Sequence, residues 1–238
     1  MPGVTVYSQH ARGLPQDVKG KAAVVFATWP KGVVPNSPHA LKRLGQLLGH
    51  VDVNGKPVAK DKQPTWDLIH VNLGLGDLVY RVPGLEDFRV LPIDSGGVVA
   101  TSPDQYRKNL DQLITQLKKT GAKVVWASTA RIRDSRSNVF KLGSEIEYNA
   151  IAAEVMAKHR VPTNDMYIYV KHLVSMDKPA SHGVAPFSFD KKPIHMPIVR
   201  VIEQHFGLEA MPVSEEEQAV KEAMKKPPPR AGLACRCR

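Results

Sequence analysis

Only two cysteines occur among the 238 residues, and Cys235 and Cys237 stand two positions apart in a terminal Pro- and Arg-rich segment. With no histidine or further cysteine at ligand spacing they make no zinc site, and a disulfide across so small a loop would be strained. No apolar run is long enough to span a bilayer, and the amino terminus has neither the charged start nor the apolar stretch of a signal peptide. As written, the chain reads as soluble, cytoplasmic by default and exported only if the true start lies upstream. Aromatic residues make up just 6% of the chain. None of the short basic runs (Lys118-Lys119, the segment 131–136, Lys191-Lys192) is interleaved with them as a base-stacking platform would be. The formal charge of +10 is spread along the chain, and from Ser214 onward six Lys or Arg face four Glu. A solvated basic surface therefore explains the charge better than a nucleic-acid interface does. His10, His39, His70 and His182 show no metal-ligand spacing, so the sequence calls for no metal and no cofactor.

What is present is an α/β pattern. Apolar residues make up 42% of the chain, enough for a substantial core. The segment Trp66 to Leu73 reads as a buried parallel strand, and it runs into a glycine-broken turn, Gly74-Leu75-Gly76-Asp77, that carries one acid. Open α/β sheets place their ligand sites at such carboxyl ends. Lys123 to Ala130 is a second strand that also ends in small polar residues. Between the two lies a helix with Ser102 as N-cap, Pro103 first, and Tyr106, Leu110, Leu113, Ile114 and Leu117 on one face. Lys21 to Ala27 reads as another strand, Pro38 to Leu48 as a helix, and Met166 to Tyr169 as a short strand. A capping box of Ser144 with Glu147 opens a helix that turns Ile151, Ala152, Val155 and Met156 inward. The last core helix runs through Ile198, Val199, Ile202 and Phe206 to Gly207. This order is that of a three-layer α/β/α, doubly wound parallel sheet in one domain, 1–210. A charged Pro/Arg-rich tail follows over 211–238, with a short surface helix from Ser214 before Pro227 and disorder beyond.

The Trp66 to Leu78 segment, Thr101-Ser102-Pro103-Asp104-Gln105-Tyr106, Glu147-Tyr148-Asn149-Ala150-Ile151-Ala152, Asn164-Asp165-Met166-Tyr167 and Ile194-His195-Met196-Pro197 together resemble the SGNH or GDSL-type acyl hydrolases. The likeness is to bacterial esterase-like members related to sialate O-acetylesterases, and it covers nearly all of 3–207. It implies a flavodoxin-like fold and acyl-ester hydrolysis by a serine in a Gly-Asp-Ser turn. It also implies a glycine and an asparagine as oxyanion donors, and a late Asp-x-x-His pair. Acyl transfer needs a base for the hydroxyl proton and preorganised donors for the oxyanion.

This chain departs from that pattern at each part. Gly3-Val4-Thr5 resembles the segment that follows the family's serine turn, so the first strand and the nucleophile are expected upstream of Met1, leaving no nucleophile in this chain. The slot between the Val24 and Ile69 strands would then stand empty, each open buried amide costing roughly 1–3 kcal/mol. Ser8, Ser37, Ser128 and Ser181 lie in no glycine-flanked nucleophile turn and read as caps or loop hydrogen-bonders. At the first oxyanion position stands Pro35-Asn36-Ser37-Pro38. At the second, Gly74 and Asp77 are kept but Gly76 replaces a side-chain donor, a loss of about 2.7–4 kcal/mol in the transition state. Asp77 has a plainer reading as the cap of its own loop. His195 is the candidate base; the acid position aligned with it is Lys192, and Asp190 stands two residues earlier.

The candidate site is therefore His195 and Asp190 as catalytic pair, with Gly74, Gly76 and Asp77 around an oxyanion pocket. The expected function is that of an esterase-family protein for a small-molecule or carbohydrate ester, inactive in this chain for want of its serine and active only if the nucleophile block is restored. The alternatives are a non-catalytic carbohydrate- or ligand-binding protein and, after it, a basic nucleic-acid binder. Oligomeric state is left open.

Overall fold

The computed structural model describes residues 2–5, 17–27, 29, 35–85, 89–132, 138–173 and 194–225. Its strands are β1 (Pro2–Thr5), β2 (Ala23–Phe26), β3 (Leu68–Val71), β4 (Tyr80–Arg81), β5 (Val98–Val99), β6 (Lys123–Ala127) and β7 (Thr163–Asn164). Its helices are α1 (Ser37–Lys42), α2 (Leu44–Leu47), α3 (Leu75–Leu78), α4 (Pro103–Lys118), α5 (Ser144–His159), α6 (Met166–Leu173), α7 (Met196–Phe206) and α8 (Glu215–Lys225). Five strands form one sheet in the order β2-β1-β3-β6-β7, all pairs parallel, while β4 and β5 pair antiparallel as a separate ribbon.

Side chains alternate across the sheet. Ile69, Val71, Val124 and Trp126 join one core with Leu110, Leu113, Ile114 and Leu117 of α4 and Ile151, Ala152, Val155 and Met156 of α5. Leu68 and Val125 join the opposite core with Met196, Ile198, Val199 and Ile202 of α7. This makes the α/β/α layering expected from the sequence. Each fully buried aliphatic side chain in these cores contributes about 1.5–3 kcal/mol relative to exposure. Ser102 caps α4 as expected, its hydroxyl accepting the Gln105 N–H at 3.3 Å, and such a cap is worth about 1 kcal/mol.

Several expectations are corrected. The central slot of the sheet is not empty, because Pro2–Thr5 fills it, with Gly3 opposite Val24 and Leu68, and Val4 opposite Val25 and Ile69. The neighbouring strands β2 and β3 are themselves four residues long, so a four-residue strand is enough to pair them. Met166 to Tyr169, expected as a strand, is helical, and the strand is Thr163–Asn164 just before it. Asp165 decides this: its side chain accepts the Ile168 N–H at 3.1 Å and its carbonyl the Tyr169 N–H, which starts a helix burying Met166, Tyr169, Val170 and Leu173. The capping box at Ser144 does not form. Gly143, at φ 81°, holds the N-cap position, and the Ser144 hydroxyl turns back to the Lys141 carbonyl at 2.6 Å. The helix expected over Pro38 to Leu48 is two pieces broken at Arg43 (φ −114°, ψ 14°).

In the segment read as a tail, α8 packs against α6, with Val220 buried among Met166, Tyr169, Val170 and Leu173. Ser214 caps it through the Glu217 N–H at 3.1 Å. Arg200 of α7 holds it in place, donating to Glu217 Oε1 at 2.9 Å and Oε2 at 2.8 Å and to Glu203 Oε2 at 2.8 Å. Residues 226–238, with both cysteines, lie outside the described residues.

Candidate functional site

The site grows from the turn after β3. Asn72 donates from Nδ2 to the carbonyls of Ala127 (2.7 Å) and Ser128 (3.1 Å), pinning the end of β3 to the end of β6. The Tyr106 hydroxyl donates to the Leu73 carbonyl at 2.7 Å. Gly74 must be glycine here: a Cβ would stand 2.0 Å from Thr129 Oγ1. Its carbonyl accepts the N–H groups of Asp77 and Leu78, which starts α3. Gly76, half-buried within α3, offers no side-chain donor.

Asp77 points inward. Its carboxylate is wholly buried and accepts the Ser37 N–H at 3.0 and 3.1 Å and the Ser37 hydroxyl at 2.7 Å. Ser37 Oγ in turn accepts from Asn109 Nδ2 at 2.9 Å, and Asn109 Oδ1 from Gln105 Nε2 at 2.7 Å. The acid therefore caps the first turn of α1 across the core rather than its own loop. Burial pushes its carboxyl up to about 6, with the Ser37 donors pulling the other way. Ser37 belongs to the Pro35-Asn36-Ser37-Pro38 segment read at the first oxyanion position, and its amide is spent on Asp77. Asn36 is committed as well, its Oδ1 accepting the His39 N–H at 2.9 Å.

His195 stands immediately before α7, its carbonyl accepting the N–H groups of Ile198 and Val199. Its Nε2 lies 2.5 Å from Oδ2 of Asp17. Asp190, expected to orient it, lies outside the described residues. Sequence reasoning missed Asp17, which is 178 positions away with no motif around it. Only the packing of the neighbouring Val18, 1% exposed in the α7 core, brings it there.

The hydroxyls near the sheet's carboxyl ends are engaged or enclosed. Ser128 Oγ donates to Asp165 Oδ1 at 2.9 Å and accepts the Tyr167 N–H at 2.9 Å. Thr129 is held through its backbone, its N–H donating to Asn149 Oδ1 and its carbonyl accepting from Asn149 Nδ2, both at 2.8 Å. Its own hydroxyl is buried without a partner among the described residues. His70 is buried in β3, with Nε2 3.1 Å from Asn164 Nδ2 and Nδ1 without a partner among the described residues, and burial pushes the imidazole down to about 4. Ser8, Ser181, His10 and His182 lie outside the described residues.

The structure thus brings Gly74, Asp77, Ser37 and Thr129 together and pairs His195 with Asp17. Among the described residues, no hydrogen bond joins the two groups, and no cluster of three or more His, Cys, Asp or Glu is positioned to hold a metal. Nor is any helix there long and apolar enough to cross a membrane. A groove of about 670 Å³ lies between β3, β6 and β7 and helices α7 and α8, and another of about 680 Å³ between α1, α2 and α4. Neither is lined by His195, Gly74, Gly76 or Asp77.

No protein-family model matches the sequence, and no curated protein matches it. Solved structures do match. A lipase/acylhydrolase from Enterococcus faecalis is similar with a TM-score of 0.57 at 16% identity, covering 87% of this chain and 96% of that one. A variant of an acetyl xylan esterase from Geobacillus stearothermophilus gives 0.54 at 13% identity over 89% and 95%. A GDSL-like lipase from Bacteroides thetaiotaomicron gives 0.51 at 14% identity over 87% of each chain. With the sheet order and the α/β/α layers already described, these likenesses give the chain an SGNH/GDSL hydrolase-like fold.

Proposed function

We propose that this chain uses an esterase scaffold to bind a small-molecule or carbohydrate ester, or the alcohol part of one, without hydrolysing it. One observation carries the reading: the turn after β3 has Gly76 where a side-chain oxyanion donor is expected, and its acid, Asp77, is turned inward onto Ser37. Nε2 of His195 lies 2.5 Å from the Asp17 carboxylate, which only accepts hydrogen bonds, so Nε2 carries a proton in this contact and a base role falls to Nδ1.

Gly76 has no side-chain donor, and the Ser37 amide and the Asp77 carboxylate satisfy each other. Stabilisation of an oxyanion, worth about 2.7–4 kcal/mol per donor, is lost at Gly76. The carbohydrate-ester class is suggested by structural neighbours that include an acetyl xylan esterase. Ester hydrolysis is the second reading, favoured by the partnership of an imidazole with a carboxylate at the head of the last core helix.

Hydrolysis of p-nitrophenyl acetate and labelling by a fluorophosphonate probe, with mapping of the labelled peptide, test the proposal. No turnover above buffer and no serine adduct are expected. Titration calorimetry with acetylated xylo-oligosaccharides should register binding. A stoichiometric adduct on any serine, Ser8 included, would overturn the binding reading in favour of the esterase.

A further inference from the structure

We propose that the loop tip Asn54-Gly55 is a self-modification site, at which Asn54 loses its side-chain amide through a cyclic imide, and that Asp52 is the latch that holds it shut in the folded protein. The site lies in the connection between α2 and β3 and is independent of the ester-binding reading.

The sequence holds one Asn-Gly pair. Glycine has no side chain to shield its nitrogen or restrict its backbone, so in a free chain that nitrogen reaches the preceding asparagine with little hindrance. The Gly55 nitrogen then bonds to Asn54 Cγ, its proton passes to water, and the side-chain nitrogen leaves as ammonia. Water afterwards opens the five-membered imide to aspartate or isoaspartate. Water is the only other reactant, and Asn54 and Gly55 are both exposed to it.

The fold withholds the attacking nitrogen. The Gly55 N–H donates to the Asp52 carbonyl at 3.0 Å, closing a turn that Gly55 completes at φ 81°. Asp52 Oδ1 accepts the two flanking amides, Asn54 N–H at 2.8 Å and Lys56 N–H at 2.8 Å. Three successive amides are thus tied to one residue, in the manner by which aspartate side chains close turns. Asp52 is itself fixed: its N–H donates to the Lys56 carbonyl at 2.9 Å, and its carbonyl also accepts Gln46 Nε2 of α2 at 3.1 Å. Below the tip, Val51 bridges Pro57, and the Val58 N–H donates to the His50 carbonyl at 2.9 Å. Attack on Asn54 requires the Gly55 nitrogen to shed the proton it gives to Asp52 and to swing toward the asparagine side chain. That movement breaks the turn, and the two bonds to Oδ1 oppose it.

Mass spectrometry of the peptide holding Asn54, after incubation of full-length protein at pH 8, measures the conversion. The folded wild type should convert several-fold more slowly than the same chain held unfolded in guanidinium chloride. Asp52→Ala removes both Oδ1 bonds and should speed conversion of the folded protein several-fold, whereas Asp52→Asn keeps an acceptor oxygen there and should stay near the wild type. Equal rates for folded and unfolded wild type, or for Asp52→Ala and folded wild type, would overturn the proposal. If Asp52→Ala does not fold, the wild-type comparison decides alone.

Discussion

Replacing His70 by leucine should change the acid stability of the protein while leaving its neutral stability nearly untouched. His70 sits wholly buried in β3 and titrates near 4 when folded, against 6.5 for an exposed imidazole. On acidification the unfolded chain takes up the proton first, so stability is complete above pH 6.5 and falls as the pH drops toward 4. At pH 5 this one group costs roughly 2 kcal/mol relative to pH 7.5. Asp77 acts in the opposite sense: its folded carboxyl titrates near 6 against 3.8, so protonation favours the folded state and recovers roughly 1 kcal/mol over the same interval. The wild type should therefore lose only about 1 kcal/mol from the pair between pH 7.5 and 5. In His70→Leu the imidazole contribution vanishes, and the variant should gain on the wild type by roughly 2 kcal/mol at pH 5 compared with pH 7.5. At pH 7.5 the lost Asn164 contact and the relief of an unpartnered Nδ1 are each about 1 kcal/mol and oppose one another. Urea unfolding followed by tryptophan fluorescence at the two pH values, with the m-value unchanged, measures this difference. A gap between variant and wild type that is the same at both pH values would refute a neutral, desolvated His70.

Asp77→Asn removes the opposing contribution: the variant should lose about 2 kcal/mol between pH 7.5 and 5, more than the wild type, and equal slopes in urea unfolding would contradict the buried acid. Gly74→Ala puts a Cβ 2.0 Å from Thr129 Oγ1 and should destabilise by about 1–3 kcal/mol, with part of the loss recovered in Gly74→Ala/Thr129→Ala; strict additivity in that cycle would show the contact is not the cause. Arg200→Leu leaves buried Glu203 without its cation and Glu217 with only Lys221 at 3.1 Å, and should cost about 3–5 kcal/mol by thermal or urea unfolding, whereas a loss under 1 kcal/mol would mean that α8 is held without the Arg200 bonds.

Local sequence rules were sufficient where one segment carried its own answer. Ser102-Pro103 followed by Tyr106, Leu110, Leu113, Ile114 and Leu117 fixes a helix and its buried face with no help from elsewhere. The strands around Ile69 and Val124, and the glycine stop of α7 at Gly207 (φ 60°), are of the same kind. Local rules failed where two readings of one segment were close in energy. Met166-Tyr167-Ile168-Tyr169 suits a strand by composition, and Asp165 as cap together with buried Val170 and Leu173 makes it a helix. Ser144 has the chemistry of a cap, yet Gly143 takes the position in a backbone conformation open to glycine.

The candidate site divides in the same way. Composition and periodicity alone determined an α/β sheet, its principal helix, and the turn of Gly74, Gly76 and Asp77 at the end of β3, because hydrophobic spacing and glycine breaks act over a few residues. The tertiary structure alone decided that Pro2–Thr5 completes the sheet, that Asp77 faces Ser37, and that the partner of His195 is Asp17. Those contacts join segments dozens to nearly two hundred residues apart, and hydrogen bonds of this kind follow from where the chain packs, which no local pattern encodes.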